Sequence, residues 1–340
     1  GHTHTLLYAL PQALLLAAML WLLWPAARKL LAHSTHARRG LLLSIGAGFL
    51  LHMSMDYLNS YGLHPFYPFD PRWFYGDMVF IIEPVFWIAF GVPLAMTATR
   101  KVSRTVLICM LIGVPLAFTV TGHLHPVSTV ALVLLAIALG VIQRRAGAAG
   151  RQGLAAAFAA AAAFVMLQWL SSDAGKSAVA AQLTMRNPGT RVDDVAMSSF
   201  PSNPLCWAFV SVEHKGNDFR VSRGVASVAP GLVPAASCPA AFSERAAQRA
   251  LSAGVAIVWE QQTPLAELRD RRQRDCYFDA WLRFARTPAL NAGNATDVRY
   301  GADPAGNFST IRFDSSIGKP CPAGVPAWGY PRADLLGLDR

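Results

Sequence analysis

His52, Asp56 and Asn59 are spaced four and then three residues apart, which stacks side chains on one face of a helix. An imidazole and a carboxylate one turn apart on a rigid element make two ligands for a divalent ion, and a metal site needs several such donors converging at roughly 2.0–2.2 Å. The setting makes the pair conspicuous. Residues 1–170 hold four acids, Asp56, Asp70, Asp77 and Glu83, all within 56–83. Acids are costly beside a bilayer and call for partners. His4, at the start of the first apolar run, is the expected third ligand. Asp77 and Glu83 flank the start of the third run and are expected as a further ligand or a general base, the alternative being pairing with Arg72 or a helix N-terminus. Asn59 is read as orienting a ligand or capping a helix end, Arg72 as binding an anionic group, and Asp70 as a turn residue before Pro71.

The elements that must position these groups are apolar. Six runs, roughly 5–24, 41–57, 78–98, 105–121, 127–142 and 154–170, reach or approach the length that crosses a bilayer. The loops between them are asymmetric. Arg28, Lys29, Arg38, Arg39, Arg100, Lys101, Arg104, Arg144, Arg145 and Arg151 occupy alternate loops, while 58–77 holds only Arg72 and 122–126 no cation. Positive loops stay inside, so the expected topology puts the His/Asp cluster and everything after residue 171 outside. The formal charge of +10 is explained by these loops, and a nucleic-acid partner is excluded on that ground. No charge lies in the middle of an apolar run, which argues against a midplane transport path. Loop 58–77, counted with Tyr57, carries eight aromatics and Pro65, Pro68 and Pro71. It reads as an aromatic belt on a fixed loop.

The second half has a different composition. Residues 171–340 hold 19 Lys/Arg and 16 Asp/Glu, with Cys206, Cys238, Cys276 and Cys321. In an oxidising compartment four cysteines form two disulfides, with three pairings open. Residues 172–200 read as a polar connector. Hairpins are expected at 207–228 and across 297–313, and helices at 240–254 and 264–287. The expected fold class is mainly α: a polytopic transmembrane bundle of about six helices over 1–171, the connector 172–200, and a small soluble α+β domain over 201–340.

The stretch HMSMDYLNSYGLHPFYPFDPRWFYGDMVFIIEP, residues 52–84, resembles the YdjM/YfhP type of inner-membrane metal-dependent hydrolases. The residues that carry the likeness are His52, Asp56, Asn59, Tyr61-Gly62, Pro68-Phe69, Arg72-Trp73 and Ile82-Glu83-Pro84, with Gly1-His2-Thr3-His4-Thr5 upstream. The likeness maps the upstream motif histidine to His4. It implies a preceding segment with a histidine and an Asp-x-Asp, which this chain is expected to lack. It also puts Glu83 where an aspartate is usual.

The expected function is therefore metal-dependent hydrolysis at the periplasmic face of a bacterial inner membrane. The ion, zinc by ligand type, would sit on His4, His52 and Asp56, and a lipid-linked or phosphoester substrate would come from the bilayer. The competing expectation is a non-enzymatic envelope scaffold or binding protein whose polar cluster ties helices together or holds a structural ion.

Overall fold

A computed structural model describes residues 4–147, 150–239, 248–302 and 305–338. The chain starts with α1 (Leu6–Leu23), α2 (Pro25–His33) and α3 (Thr35–Leu58). Pro25 opens α2 at its first turn, where its missing N–H costs nothing. The first basic loop is therefore largely helical. The four helices that follow are α4 (Pro84–Thr97), α5 (Lys101–Val120), α6 (Pro126–Ala146) and α7 (Gln152–Arg186).

Helices α1, α3, α5, α6 and α7 are long and apolar enough to cross a membrane, and α4 is a shorter apolar helix. Helix α1 buries none of its own residues, as a lipid-facing helix should. Helix α4 is packed at the centre, with Val85 and Ile88 against Leu124 and Leu132, and Ala89 against Leu139 and Ala157. The third apolar run turns helical only at Pro84. The residue before a proline is steered away from helical backbone, and Glu83 caps the helix by accepting from Val85 N at 3.1 Å.

Helix α7 has 35 residues, or about 52 Å at 1.5 Å per residue, well beyond a hydrocarbon core of about 30 Å. Its last turns continue past the bilayer and press Val179 and Leu183 into the core of a sheet. Residues 172–200, expected as a connector, are thus the end of α7, a turn, and a strand. Burial of this helix face explains the difference.

The sheet is antiparallel, in the order β1 (Arg191–Phe200), β2 (Asn203–Lys215), β3 (Asp218–Ser227), β5 (Val255–Pro264) and β4 (Arg249–Ala250). The expected hairpin at 207–228 is β2–β3, paired from Cys206↔Ser227 to Lys215↔Asp218. A second sheet joins β6 (Pro288–Leu290), β7 (Asn294–Asp297) and β8 (Ile311–Arg312). In the expected hairpin across 297–313 the pairing sits lower, at Asn294↔Arg312, and 298–300 forms a 3-10 turn.

Two helical expectations are corrected. Of 240–254, residues 240–247 lie outside the described residues, while Arg249 and Ala250 form a strand edge against Ile257 and Ala256. The 264–287 segment is broken into α8 (Leu265–Arg274) and α9 (Cys276–Leu282) by Asp275. The Asp275 carboxylate accepts from Tyr277 N and Phe278 N, a cap that starts a new helix. A short α10 (Ala333–Leu336) closes the chain. The disulfides are Cys206–Cys238 and Cys276–Cys321, and Cys109 is free and exposed on α5.

Candidate functional site

Helix α3 carries His52 and Asp56 on one face, and His4 arrives from just before α1. Thr5 fixes that approach, because its hydroxyl caps α1 by accepting from Tyr8 N at 3.1 Å. The amide of Leu6 donates to Pro65 O at 2.9 Å, so the outer loop pins the start of α1. His4 Nδ1 lies 2.6 Å from Asp56 Oδ2, and His52 Nε2 lies 3.6 Å from the same oxygen. The two imidazoles meet edge-on with centroids 5.1 Å apart.

One ligand atom from each of the three residues fits within a 4.8 Å cluster. Two ligands on one tetrahedral ion stand roughly 3.4 Å apart when bonds are about 2.1 Å. The His52–Asp56 spacing matches that figure, while the His4–Asp56 contact is a hydrogen bond. Two imidazoles and a carboxylate suit a zinc-type ion. The side chains of His4, Asp56 and His52 remain 42%, 27% and 57% exposed, so the cluster is open on one side as a catalytic ion needs.

The other expected site residues belong to a different structure. Asp77 is buried, and Arg286 of the sheet domain holds it with two hydrogen bonds, Nη1 to Oδ1 at 2.7 Å and Nη2 to Oδ2 at 2.9 Å. Lys176 of α7 adds a third contact at 2.8 Å. The same Arg286 also grips Asp194 of β1, at 2.6 and 2.9 Å. Burial pushes the Asp194 carboxyl up, but Arg286, helped by Arg332 and Lys176, outweighs it and holds it well below the usual carboxylate range. Asp77 has φ +56, a left-handed backbone that costs about 1 kcal/mol or more in a non-glycine residue. The ion pairs offset that strain. Beside it, a side chain at Gly76 would meet Tyr57 O.

Glu83 is also buried. It accepts from Ser202 N at 3.1 Å and from Ser202 Oγ at 2.7 Å. Asn59 caps the end of α3, donating to Met55 O and accepting from Tyr61 N. Arg72 is exposed and paired with Asp70 at 2.6 Å. Sequence spacing offered Asp77 and Glu83 to the ion or, alternatively, to Arg72 or a helix N-terminus, and Asn59 to a ligand or a helix end. The structure gives Asp77 and Glu83 partners from the docked sheet domain, makes Asn59 the cap of α3 and pairs Arg72 with Asp70.

The docking surface is extensive. Trp73 Nε1 donates to Arg283 O at 2.8 Å, Gly329 N to Pro71 O at 2.9 Å, and Arg299 Nη1 to Ser60 O at 2.9 Å. His64 is buried against the rings of Trp73 and Trp328. The loop that reads as an interfacial aromatic belt is thus also the seat of the second domain. Arg286, Asp194, Lys176 and Ser202 carry this contact, and no local motif marks them. Arg286 is 209 residues from Asp77, and only the assembled fold brings them together.

The model of the family described as YdjM inner membrane protein matches residues 1–126. That stretch contains His4, His52, Asp56 and the whole 52–84 motif, in agreement with the likeness drawn from those residues. No curated protein and no solved structure matches the chain. The family description and the apolar helices establish a membrane protein with a sheet-containing C-terminal part.

Proposed function

We propose, on the premise of a YdjM-type membrane unit over residues 1–126, that the protein is a metal-dependent hydrolase working at the membrane face where α3 ends. The observation that carries this reading is the convergence of His4, His52 and Asp56, from two chain segments, within 4.8 Å. His52 and Asp56 would hold a divalent ion, zinc by donor type, from one turn of α3, with His4 closing the set. Bound there, such an ion supplies Lewis acidity to polarise an ester or phosphoester oxygen. Thr5 and the Leu6–Pro65 contact keep His4 in place. The exposed side of His52 leaves room for a substrate drawn from the bilayer.

The two disulfides support an outward, periplasmic placement of the sheet domain, since structural disulfides persist in oxidising compartments. The charge asymmetry of the loops supports the same orientation. A cysteine placed at the exposed Ser315 should label from outside intact cells; labelling only after lysis reverses the topology.

The direct His4–Asp56 hydrogen bond favours a second reading, in which the cluster ties α1 to α3 or holds a structural ion in a scaffold. Metal content separates the readings from a bare polar tie. Purified full-length protein should carry close to one divalent ion per chain, and His52→Ala and Asp56→Ala should each lower it at least tenfold, as loss of a ligand does. Unchanged metal content in both variants ends the hydrolase reading. Hydrolysis of a model phosphoester by the loaded protein, absent in the same variants, then separates enzyme from structural ion.

A further inference from the structure

Two hydroxyls of the sheet domain, those of Ser199 and Tyr300, are buried and have no hydrogen-bond partner among the described residues. Both residues line one cavity of about 330 Å³ between the bundle and the sheet domain. Ser199 is only 4% exposed. Two other serines of the same lining, Ser60 and Ser198, satisfy each other at 3.1 Å, so the pair left over is specific. A buried hydroxyl without a partner costs about 1–3 kcal/mol. Burial also pushes the Tyr300 phenol above its ordinary value, so it keeps its proton and stays a donor.

Much of the remaining lining is apolar. Val79 and Ile81 come from the membrane unit, and Phe308 from the sheet domain. Ile81 is 50% exposed and Phe308 72%. Ile81 lies three residues before α4 starts at Pro84, at the level where the apolar helices begin. Large apolar side chains left open at that level mark an edge that faces lipid. The cavity therefore asks for a ligand with hydrocarbon for its apolar side and oxygen acceptors for its two hydroxyls. A sugar or a peptide brings donors that an apolar wall leaves unmade. An acyl ester brings a carbonyl acceptor, no donor, and a hydrocarbon chain.

We propose that this cavity binds the ester-linked acyl segment of a membrane lipid, with Ser199 and Tyr300 donating to the ester oxygens and the chain lying along Val79, Ile81 and Phe308. The feature recognised is the ester linkage, whatever the headgroup. This deepens the hydrolase reading and rests on it only for its consequence, which is to name the substrate class as an acyl ester. Asn59 joins the lining three residues beyond Asp56, about 4.5 Å of helical rise, so such an ester is held close to the imidazole cluster.

The test uses the full chain reconstituted in vesicles containing equal amounts of diacyl phosphatidylcholine and its dialkyl ether analogue of the same chain length. After extraction in mild detergent, retained lipid is counted by native mass spectrometry. Both lipids carry the same headgroup, so the charged side chains of the lining act equally on each. Wild type should prefer the diester about tenfold, as expected for two hydrogen bonds that the ether cannot accept as well. Ser199→Ala combined with Tyr300→Phe should bring the preference close to one. Ala208→Phe, which fills the cavity from its lining, should lower retention of both lipids. No preference in wild type overturns ester recognition, and a preference that survives in the double variant overturns the role of the hydroxyls. Full retention by Ala208→Phe overturns the location. The double variant only deletes unpaired hydroxyls, so its melting midpoint should not fall, and a folding defect cannot imitate the result. The two readings fail separately. A wild type that holds the ion but shows no ester preference refutes the cavity alone, and one that shows the preference but holds no ion refutes the hydrolase reading alone.

Discussion

Removing the Arg286 guanidinium should loosen the sheet domain from the membrane unit. Its side chain is 5% exposed and makes four hydrogen bonds, two to Asp77 and two to Asp194. Arg286→Met keeps much of the volume and deletes the charge, leaving two carboxylates facing each other beside Lys176 and Arg332. Breaking a buried ion network by removing one partner costs about 3–5 kcal/mol. For a domain of this size each kcal/mol is worth about 2–4 °C, so the melting midpoint should fall by roughly 6–20 °C. The left-handed backbone at Asp77 would lose its restraint as well, which places the effect toward the upper end.

The assay is intrinsic tryptophan fluorescence during heating, in detergent, with Trp73 at the docking surface as one reporter. The pH dependence gives an independent check. Asp194 has a depressed pKa in the fold, so its contribution is fully present above its unfolded value of about 3.9 and is lost as pH falls through the folded value. The gap between wild type and Arg286→Met should therefore be full at pH 7 and shrink below about pH 4. A midpoint shift under about 2 °C at pH 7, or a gap that widens in acid, would refute the claim that this network holds the domains together.

Other outcomes follow from the same packing. Glu83→Asp shortens the reach to Ser202 and should cost about 1–3 kcal/mol in thermal stability; no change would show that Ser202 contributes little. Glu213 on β2 is fully buried and its carboxyl is pushed up by burial. A raised folded pKa favours the fold at low pH and destabilises it as pH rises, so Glu213→Gln should raise the midpoint at pH 7 and have little effect near pH 4. Cleaving Cys276–Cys321 frees a loop with a sequence separation of 45, worth about 4 kcal/mol by loop-closure entropy; the paired serine variants should melt well below wild type, and equal midpoints would contradict this. Cys109, exposed on α5, should be the cysteine that takes up a lipophilic maleimide in unreduced protein, as mass spectrometry of the labelled peptide would show.

Several features of this protein were determined by the sequence alone. Apolar runs and the placement of Arg and Lys report a membrane bundle, because the cost of charge in a bilayer is local and needs no knowledge of the fold. The cluster on α3 was readable for a similar reason: His52 and Asp56 share a helix face by spacing, and His4 lies close because it opens the neighbouring helix. Hairpin β2–β3 was readable from its alternation and its Lys-Gly-Asn turn. What the acids at 77 and 83 do was decided only by tertiary structure. Spacing offered both as ligands, but a carboxylate near a bilayer takes whichever cation or donor the assembled fold brings closest, and here Arg286 and Ser202 arrive from more than a hundred residues away. The fate of 172–200 was decided in the same way. Its polar composition suggests a connector, yet packing α7 against the sheet buries Val179 and Leu183 completely. Burial of that kind is a property of two surfaces meeting, and local sequence describes only one of them.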